Sequence, residues 1–360
     1  MDPNQLITDI HVNKPKPILL TAQVQSFNRG SDVGLTIKDL EAGKLIVISD
    51  FYTDGLSLLA EIHNYLQQQL PNKSFIEQAD YRTAYHKLSN LVLLEVVAQQ
   101  LVVKKAPSIG WLEKLYSENN SFFLTFPQIQ GLNSAWQWYK NGITIPVLRN
   151  KLHPYYGTYF PTRFEHLILF DTWLNHYKGL KKTAIDVGIG SGVLSLLLVQ
   201  HGFQKVFATD INPNAIMGMS ELMGTTKLSR KIELDLAHLF GKWDKQTELI
   251  VFNPPWLPEP KEINSANPAM NYNKTLFPEF FAEAKKRLLP EGKLLIIFSN
   301  LALITHVTTV NPIEVELAEG NRFKLERCYK KSVKEASSKT KRDQYWRDSE
   351  EVELWVLTNI

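Results

Sequence analysis

An alternation of short apolar runs with helix-like stretches occupies the chain from about residue 181 to residue 298. The apolar runs are rich in Val, Ile, Leu and Ala, and helix-like stretches begin near Gly192, Asn214 and Lys274. The runs that we predict as strands are residues 183–187, 205–209, 231–234, 249–252 and 293–298. Strands that alternate with helices at this spacing predict a parallel sheet with helices on both faces.

Two further strand-like runs, residues 323–329 and 352–357, follow without a helix-like stretch between them. We expect them to pair as an antiparallel hairpin, because a parallel pair needs a long crossover connection. Residues 151–360 are therefore predicted to form an α/β domain. Its core would be a doubly wound, mostly parallel, seven-stranded Rossmann-like sheet with an antiparallel C-terminal hairpin.

Residues 1–150 show a different pattern and are predicted to form a separate, mixed but mainly helical domain. No α/β alternation is visible there. We expect this domain to recognise the substrate or to act as a lid. Its predicted strands are residues 17–24 and 44–49, and its predicted helices are residues 54–70, 84–105, 108–117 and 133–141.

Composition excludes several classes of protein. The 360 residues carry 40 Lys and Arg against 37 Asp and Glu, which is ordinary for a globular protein. The single cysteine, Cys328, cannot form an internal disulfide, and no apolar run approaches the ~20 residues of a membrane span. The N-terminus has neither the basic start nor the apolar stretch of a secretion signal. We expect a cytoplasmic protein with no membrane partner. Because the nine histidines lack metal-ligand spacing, we expect no metal site.

Basic residues are concentrated near the C-terminus. Residues 331–347 contain six basic and two acidic side chains, whereas residues 1–150 contain 13 of each. A solvated loop is the usual interpretation of such a run, and a surface that faces phosphate or an acidic substrate is the alternative.

A glycine-rich loop follows the first predicted strand. Asp186 lies near the end of that strand, and Gly188, Gly190 and Gly192 alternate before a helix begins. Glycines allow a sharp turn and a close approach of the backbone to a ligand. A nearby carboxylate does not favour binding of a pyrophosphate, which is also an anion. It does favour binding of the cationic ammonium and sulfonium groups of S-adenosylmethionine. The pattern therefore favours a cationic nucleoside ligand without phosphate.

Acidic residues also follow the second and third predicted strands. Asp210 lies close to the spacing expected of an acid that binds ribose hydroxyls, and a helix N-cap is the alternative role, which Asn212 could also fill. Asp235 is placed to accept from an adenine amino group, and a surface turn is the alternative.

The sequence Asn253-Pro254-Pro255-Trp256 follows the fourth predicted strand, at the edge where α/β sheets bind ligands. The side-chain oxygen of Asn253 and the carbonyl of Pro254 could hold the two N–H groups of a planar nitrogen. Pro255 stiffens the turn, and Trp256 could stack on a flat target. Catalysis would then consist mainly of positioning.

These segments resemble a class I S-adenosylmethionine-dependent methyltransferase with a small methyltransferase domain. Such a domain occurs in the HemK/PrmC-type glutamine-N5 enzymes and in many adenine-N6 enzymes. The resemblance implies that Asp186 and the glycine loop hold the methionine part of the cofactor, Asp210 the ribose, and Asn253–Trp256 the target nitrogen. Residues 156–165 are similar to the segment that covers the methionine end in this family. The resemblance thus adds as cofactor-binding residues Thr162, Arg163, Ile211 and Leu236.

Three features depart from the glutamine-N5 enzymes. Trp256 stands where Tyr is usual, and Pro161-Thr-Arg-Phe-Glu-His166 replaces Pro-Arg-Pro-Glu-Thr-Glu. Residues 1–150 are also longer than the small all-helical N-terminal domain of those enzymes and contain strand signals. The predicted reaction is methyl transfer to a planar amide or amino nitrogen, with a protein glutamine side chain slightly favoured. Adenine N6 of RNA or DNA and a small-molecule amine are the alternatives. The neutral charge of residues 1–150 argues against nucleic acid, since a nucleic-acid docking domain is normally basic.

Overall fold

The computed structural model describes residues 10–20, 24–70, 75–259, 270–333 and 349–360. It consists of two compact units. One is Asn13–Asn141, and the other is Gly142–Ile360 together with residues 10–12 among those described. The boundary expected near residue 150 thus lies inside the larger unit.

The smaller unit contains a five-stranded sheet beside its helices. Three strands are parallel in the order β1-β2-β3, and β3 also pairs antiparallel with β4 and β5. The strands are β1 Gln25–Phe27, β2 Ile46–Ile48, β3 Val92–Val97, β4 Gln100–Leu101 and β5 Ser121–Thr125. The helices are α1 Val33–Glu41, α2 Tyr52–Gln69, α3 Phe75–Ser89, α4 Gly110–Leu115 and α5 Phe126–Asn141.

Three sequence-based expectations for this unit are wrong. Residues 17–20 and 24 of the strand predicted at residues 17–24 form only an isolated bridge, from Ile18 to Phe123, and residues 21–23 lie outside the described ranges. Residues 84–105 are not one helix, because α3 ends at Ser89 and β3 and β4 then form a hairpin. Its turn residues, Ala98 and Gln99, have φ values of 47° and 61°. A short run of buried apolar residues has the same periodicity in a strand as in a helix, which explains the error. The expected lack of α/β alternation is also wrong, since helices connect the parallel strands β1, β2 and β3.

The larger unit has the predicted seven-stranded sheet, in the order β13-β14-β12-β9-β6-β7-β8. Strand β14 is antiparallel to β12 and β13, which confirms the hairpin, and the remaining neighbours are parallel. The strands are β6 Thr183–Val187, β7 Lys205–Asp210, β8 Ile232–Leu236, β9 Thr247–Phe252, β10 Leu257–Pro258, β11 Asn271–Tyr272, β12 Leu288–Ser299, β13 Phe323–Ser332 and β14 Glu351–Asn359; β10 and β11 form a separate small pair.

Helices cover both faces of this sheet, so the doubly wound prediction is confirmed. On one face, three helices pack through residues that include Leu174, Leu197 and Met219. On the other face, two helices pack through residues that include Phe280 and Ile313. The helices are α6 Glu165–His176, α7 Val193–Gln200, α8 Pro213–Gly224, α9 Leu276–Arg287, α10 Leu301–Ile304 and α11 Pro312–Glu319.

The chain order along the sheet reverses between β6 and β9. From β6 the chain continues to β7 and β8 on one side, whereas β9 and β12 lie on the other. In open α/β sheets the crevice for ligands forms outside the carboxyl ends of the strands at such a switch point. Within the described ranges, no helix is both long enough and apolar enough to cross a bilayer.

Candidate active site

The glycine loop and the Asn253–Trp256 turn start side by side at the switch point. Val187 is the register partner of Phe252 in the parallel pair β6 and β9. Gly188 and Asn253 are therefore the first residues to leave the sheet on each strand. The two segments that the sequence singled out independently are brought together by this register.

Glycine is required in the loop for two different reasons. Gly188 has a φ of 74°, and a Cβ there would make only an ordinary contact, 3.8 Å from Cε2 of Phe252. Gly192 has a φ of 90°, and a Cβ there would lie 2.2 Å from Sδ of Met219. The backbone conformation therefore calls for glycine at Gly188, and Gly192 in addition allows α8 to pack against the loop.

Several backbone N–H groups of the glycine loop already donate hydrogen bonds within the protein. Gly188 and Ile189 both donate to the carbonyl of Thr209, at 2.9 and 2.8 Å. The N–H of Gly190 donates to Oδ2 of Asp210 at 2.8 Å. A phosphate-binding loop points such N–H groups at its ligand. The structure thus supports the sequence-based preference for a ligand without phosphate.

Asp210 joins the end of β7 to two backbone segments. Besides Gly190, the N–H of Asn212 donates to its Oδ1 at 2.8 Å. Burial raises the pKa of the Asp210 carboxyl, while these N–H donors act in the opposite direction. The N-cap of α8 is Asn212, whose side chain accepts from Asn214, so Asp210 is not the cap. Carboxylate lone pairs remain for hydroxyl donors.

Asp186 is fully buried at the base of the loop. Its Oδ2 accepts from the hydroxyl of Ser195 at 2.6 Å, and its Oδ1 has no partner among the described residues. Burial raises the pKa of the Asp186 carboxyl to about 7, against the hydrogen bonds from Ser195 that lower it. A buried acceptor without a partner is costly unless a donor reaches it, and a cation is the most effective such donor.

The segment before α6 passes close to the loop. Asn214 donates its side-chain N–H to the carbonyl of Tyr156 at 2.7 Å, and Asn212 donates to that of Gly157 at 2.9 Å. The carbonyl of Tyr159 lies 3.5 Å from the position a Cβ on Gly190 would take. The predicted covering segment is thus held over the loop by the first turn of α8 and its cap.

Thr158 is a candidate site residue that the sequence reasoning missed. It is 7% exposed, and its Oγ1 is buried without a partner among the described residues. Nothing in the sequence separates this threonine from its neighbours. The signal is the unpaired hydroxyl, which appears only once the segment is placed beside the loop.

The structure gives Thr162 and Arg163 different surroundings. Thr162 is exposed. Nη1 of Arg163 forms an ion pair with Oε2 of Glu350 at 3.2 Å, which holds the residue just before β14. Burial raises the pKa of the Glu350 carboxyl, and Arg163 lowers it. The guanidinium of Arg163 is thus engaged with an acid, and a cofactor role for both residues stays a prediction.

Two apolar side chains project at the carboxyl ends of β7 and β8. Asp210 is the register partner of Leu236, and Ile211 follows Asp210. Ile211 is 67% exposed and Leu236 is 39% exposed. Apolar side chains beside an acid with lone pairs left for further donors suit a nucleoside, whose base is flat and whose sugar is polar.

Asp235 has the contacts of a turn residue. The backbone N–H of Lys242 donates to its Oδ2 at 3.1 Å, and Nζ of Lys242 lies 3.4 Å from its Oδ1. These contacts agree with the turn alternative from the sequence. They leave lone pairs on both oxygens, so the predicted adenine contact stays a prediction.

The Asn253–Trp256 turn is closed by a hydrogen bond between its first and last residues. Nε1 of Trp256 donates to Oδ1 of Asn253 at 3.1 Å. An indole N–H only donates, so the amide atom that faces it is the oxygen. Pro254 is buried, whereas Asn253 and Pro255 are half-buried. The amide of Asn253 therefore has one defined orientation at the switch point.

His166 contacts the other side of this turn and was not singled out from the sequence. It is 3% exposed, and its ring meets that of Trp256 edge-on, with centroids 5.6 Å apart and an interplanar angle of 89°. Burial lowers the pKa of the His166 imidazole to about 4, while Glu165 acts in the opposite direction. The ring is therefore neutral near pH 7.

The residues at this edge fit S-adenosylmethionine. The orphaned Oδ1 of Asp186 suits a cation, Asp210 suits a diol, and Ile211 with Leu236 suits a flat base. The described part of the chain contains no cluster of three or more His, Cys, Asp or Glu side chains that could hold a metal ion.

Residues 168–325 match the family model described as methyltransferase small domain. A Methanocaldococcus jannaschii protein, provisionally named a protein N5-glutamine methyltransferase, is 27% identical over 44% of this chain and 80% of its own length. A Shewanella pealeana protein, named tRNA1(Val) (adenine(37)-N6)-methyltransferase, is 24% identical over 38% of this chain and 59% of its own.

Among solved structures, the ribosomal protein L11 methylase of Lactobacillus delbrueckii aligns with a TM-score of 0.38 and 17% identity. The alignment covers 60% of this chain and 90% of that one. Residues 168–325 thus match a methyltransferase small domain, and the chain is an S-adenosylmethionine-dependent methyltransferase.

Proposed function

We propose that this enzyme transfers a methyl group to a planar nitrogen held by Asn253 and Pro254, and that the nitrogen is the side-chain amide of a protein glutamine. One observation carries the proposal. Asn253 directly follows β9 and lies beside Gly188, which directly follows the neighbouring strand β6. The hydrogen bond from Trp256 orients the amide oxygen of Asn253 at this point, next to the proposed cofactor site.

The residues proposed to hold the cofactor are those of the glycine loop and its surroundings. Asp186 would face the ammonium group, Asp210 the ribose hydroxyls, and Ile211 with Leu236 the adenine. Thr158 would add a hydroxyl from the covering segment. Bound S-adenosylmethionine would supply an electrophilic methyl group, whose bond to sulfur would break as its bond to the acceptor nitrogen forms, leaving S-adenosylhomocysteine. The methylated nitrogen would then release one proton to water.

The residues proposed to hold the acceptor are acceptors of hydrogen bonds. A primary amide has two N–H groups and a lone pair that is delocalised into the carbonyl. The oxygen of Asn253 would take one N–H and the carbonyl of Pro254 the other, which fixes the plane of the amide. Oδ1 of Asn253 keeps one lone pair for this purpose after accepting from Trp256. The rate enhancement would come from orientation in a site that resists reorganisation.

Two observations support a protein acceptor. The smaller unit and its flanking residues carry balanced charge, 13 basic and 13 acidic side chains over residues 1–150. A surface that docks nucleic acid is normally basic. The relative from Methanocaldococcus jannaschii, whose own length is mostly covered, carries a glutamine-N5 name.

Adenine N6 is the second candidate, and one observation favours it. The amino group of adenine has the same two N–H groups and delocalised lone pair, and the relative from Shewanella pealeana is named for that reaction. The basic run at residues 331–347, which could face phosphate, lies outside the described residues from residue 334 to residue 347. It therefore stays a sequence-based prediction.

The test is transfer of labelled methyl from S-adenosylmethionine into a cell extract. The extract is first divided into macromolecules and a low-mass filtrate, with the Asn253→Ala enzyme as the blank. We expect label in macromolecules that protease releases and nuclease does not. Release by nuclease would indicate adenine and not glutamine as the acceptor. Label confined to the filtrate would indicate a small-molecule acceptor. Equal label with the Asn253→Ala enzyme would refute the proposed role of Asn253 in holding the acceptor.

A further inference from the structure

The indole of Trp256 is held from two sides. Its Nε1 donates to Oδ1 of Asn253, and its ring faces the edge-on ring of His166. Trp256 is half-buried and packs against the apolar clusters on both faces of the sheet. It is thus the link between the proposed acceptor-binding amide and α6.

His166 is suited to fix the position of that indole. It lies in the first turn of α6, and Leu167, Phe170 and Leu174 of the same helix are buried in the core. Its own ring is almost completely buried, so it has little room to move. Aromatic pairs in this edge-on arrangement are attractive beyond the area they bury.

We propose that His166 is a positioning residue for methyl transfer: its ring braces Trp256, whose indole N–H in turn holds the Asn253 amide with its oxygen oriented for the acceptor. Without the brace, the indole moves away from Asn253 and the amide is free to rotate. The proton of the imidazole has no part in this role, because packing alone fixes the indole.

This inference depends on the proposed role of Asn253 but not on the identity of the acceptor. Its first test therefore needs no acceptor. The protein is labelled with fluorotryptophan, and the resonance of Trp256 is assigned by its loss in Trp256→Phe. In His166→Ala we expect this resonance to shift and broaden. In His166→Phe, which keeps a flat ring, and in Leu174→Ala, which opens a cavity elsewhere on α6, we expect it to stay sharp.

The second test compares initial rates of methyl transfer into the acceptor fraction found above. We expect His166→Ala to lower the rate ~10- to 100-fold, since small displacements of a positioning group have effects of that size. His166→Phe should recover most of the rate. Cofactor affinity should change by less than about threefold, because Trp256 is assigned to the acceptor and not to the cofactor.

A double-mutant cycle separates the brace from a general loss of stability. If His166 acts through Trp256, adding His166→Ala to Trp256→Phe should lower the rate by less than about threefold further. An undiminished effect in the Trp256→Phe background would overturn the proposal. So would an unchanged Trp256 resonance in His166→Ala, or a His166→Phe enzyme as slow as His166→Ala. If the extract takes up no label at all, the proposed function fails, while the resonance of Trp256 still tests the brace.

Discussion

The carboxylate of Asp210 accepts the backbone N–H of Gly190 at 2.8 Å, which ties the end of β7 to the middle of the glycine loop. The same side chain also accepts the N–H of Asn212, ahead of α8. Asp210 therefore shapes the loop before any ligand binds. Its proposed contact with ribose uses the lone pairs that these two donors leave.

Asp210→Ala should weaken cofactor binding by ~10- to 100-fold, because hydrogen bonds to a charged group contribute ~1.5–3 kcal/mol. Titration calorimetry with S-adenosylhomocysteine measures this. Asp210→Asn should lose less, since its amide oxygen can still accept the N–H of Gly190. Unchanged affinity in Asp210→Ala would remove the ribose assignment.

Asn253→Ala should lower methyl transfer by ~100-fold or more, as removal of a preorganised polar group from a catalytic site typically does. Cofactor affinity should stay within a few fold, because the side chain is assigned to the acceptor. The two quantities are measured on one preparation, by label incorporation and by calorimetry. A large loss of cofactor binding would show that Asn253 belongs to the cofactor site.

Thr158→Val tests the residue that the sequence did not reveal. The replacement keeps the shape and removes a buried hydroxyl without a partner in the described structure, so the melting temperature should stay the same or rise. Cofactor affinity should fall about fivefold if the hydroxyl reaches the ligand. Thr305→Val is the matched control, since its hydroxyl already donates to Leu301 at 2.7 Å. Equal cofactor affinity in Thr158→Val and wild type would exclude Thr158 from the site.

Cofactor binding should depend on pH through Asp186. Burial raises the pKa of its carboxyl to about 7, so the group is neutral below that pH and anionic above it. An anion attracts the ammonium group of S-adenosylhomocysteine, so affinity should be higher at about pH 8 than at about pH 6. Asp186→Asn should abolish this difference. His166, whose pKa is about 4, should not contribute in this range.

The same raised pKa has a consequence for stability. Between the ordinary pKa of 3.8 and about 7, the folded protein holds a proton on Asp186 that the unfolded chain has released. This contribution to the free energy of unfolding is therefore present below pH 3.8 and is lost as pH rises through about 7. Urea titrations of wild type and Asp186→Asn should diverge over that interval. If the difference in unfolding free energy between the two proteins stayed constant over this pH range, the raised pKa of Asp186 would be contradicted.

The sequence indicated the larger unit almost completely, for physical reasons. The strands of its seven-stranded sheet are five or more residues long, and β6, β7 and β9 are largely buried. Less of the smaller unit could be predicted, because β1 and β2 have only three residues each and the apolar sequence of the buried strand β3 resembles that of a buried helix segment. Asp186, Asp210 and Asn253 could be read from their places at strand ends. Thr158 and His166 could not, since only the tertiary contacts make them candidates.

Gly192→Ala tests the close packing of α8 on the loop. It combines an unfavourable φ of 90° with a Cβ 2.2 Å from Sδ of the buried Met219. Gly202→Ala has a similar φ of 98° and no atom within 4 Å of its Cβ position, so it measures the backbone strain alone. We expect Gly202→Ala to cost ~1–2 kcal/mol of unfolding free energy. Gly192→Ala should cost ~1–3 kcal/mol more, as overpacking does. Equal losses would show that Met219 moves aside freely.

We propose above all that the turn at Asn253 holds a planar nitrogen of the methyl acceptor. The chemical identity of the methylated product tests this most directly. Labelled macromolecules are digested enzymatically and the modified residue is identified by mass spectrometry. We expect N5-methylglutamine. N6-methyladenine would keep the planar nitrogen and exchange the acceptor. A methyl group on oxygen, sulfur, carbon or the amine of lysine would contradict the claim.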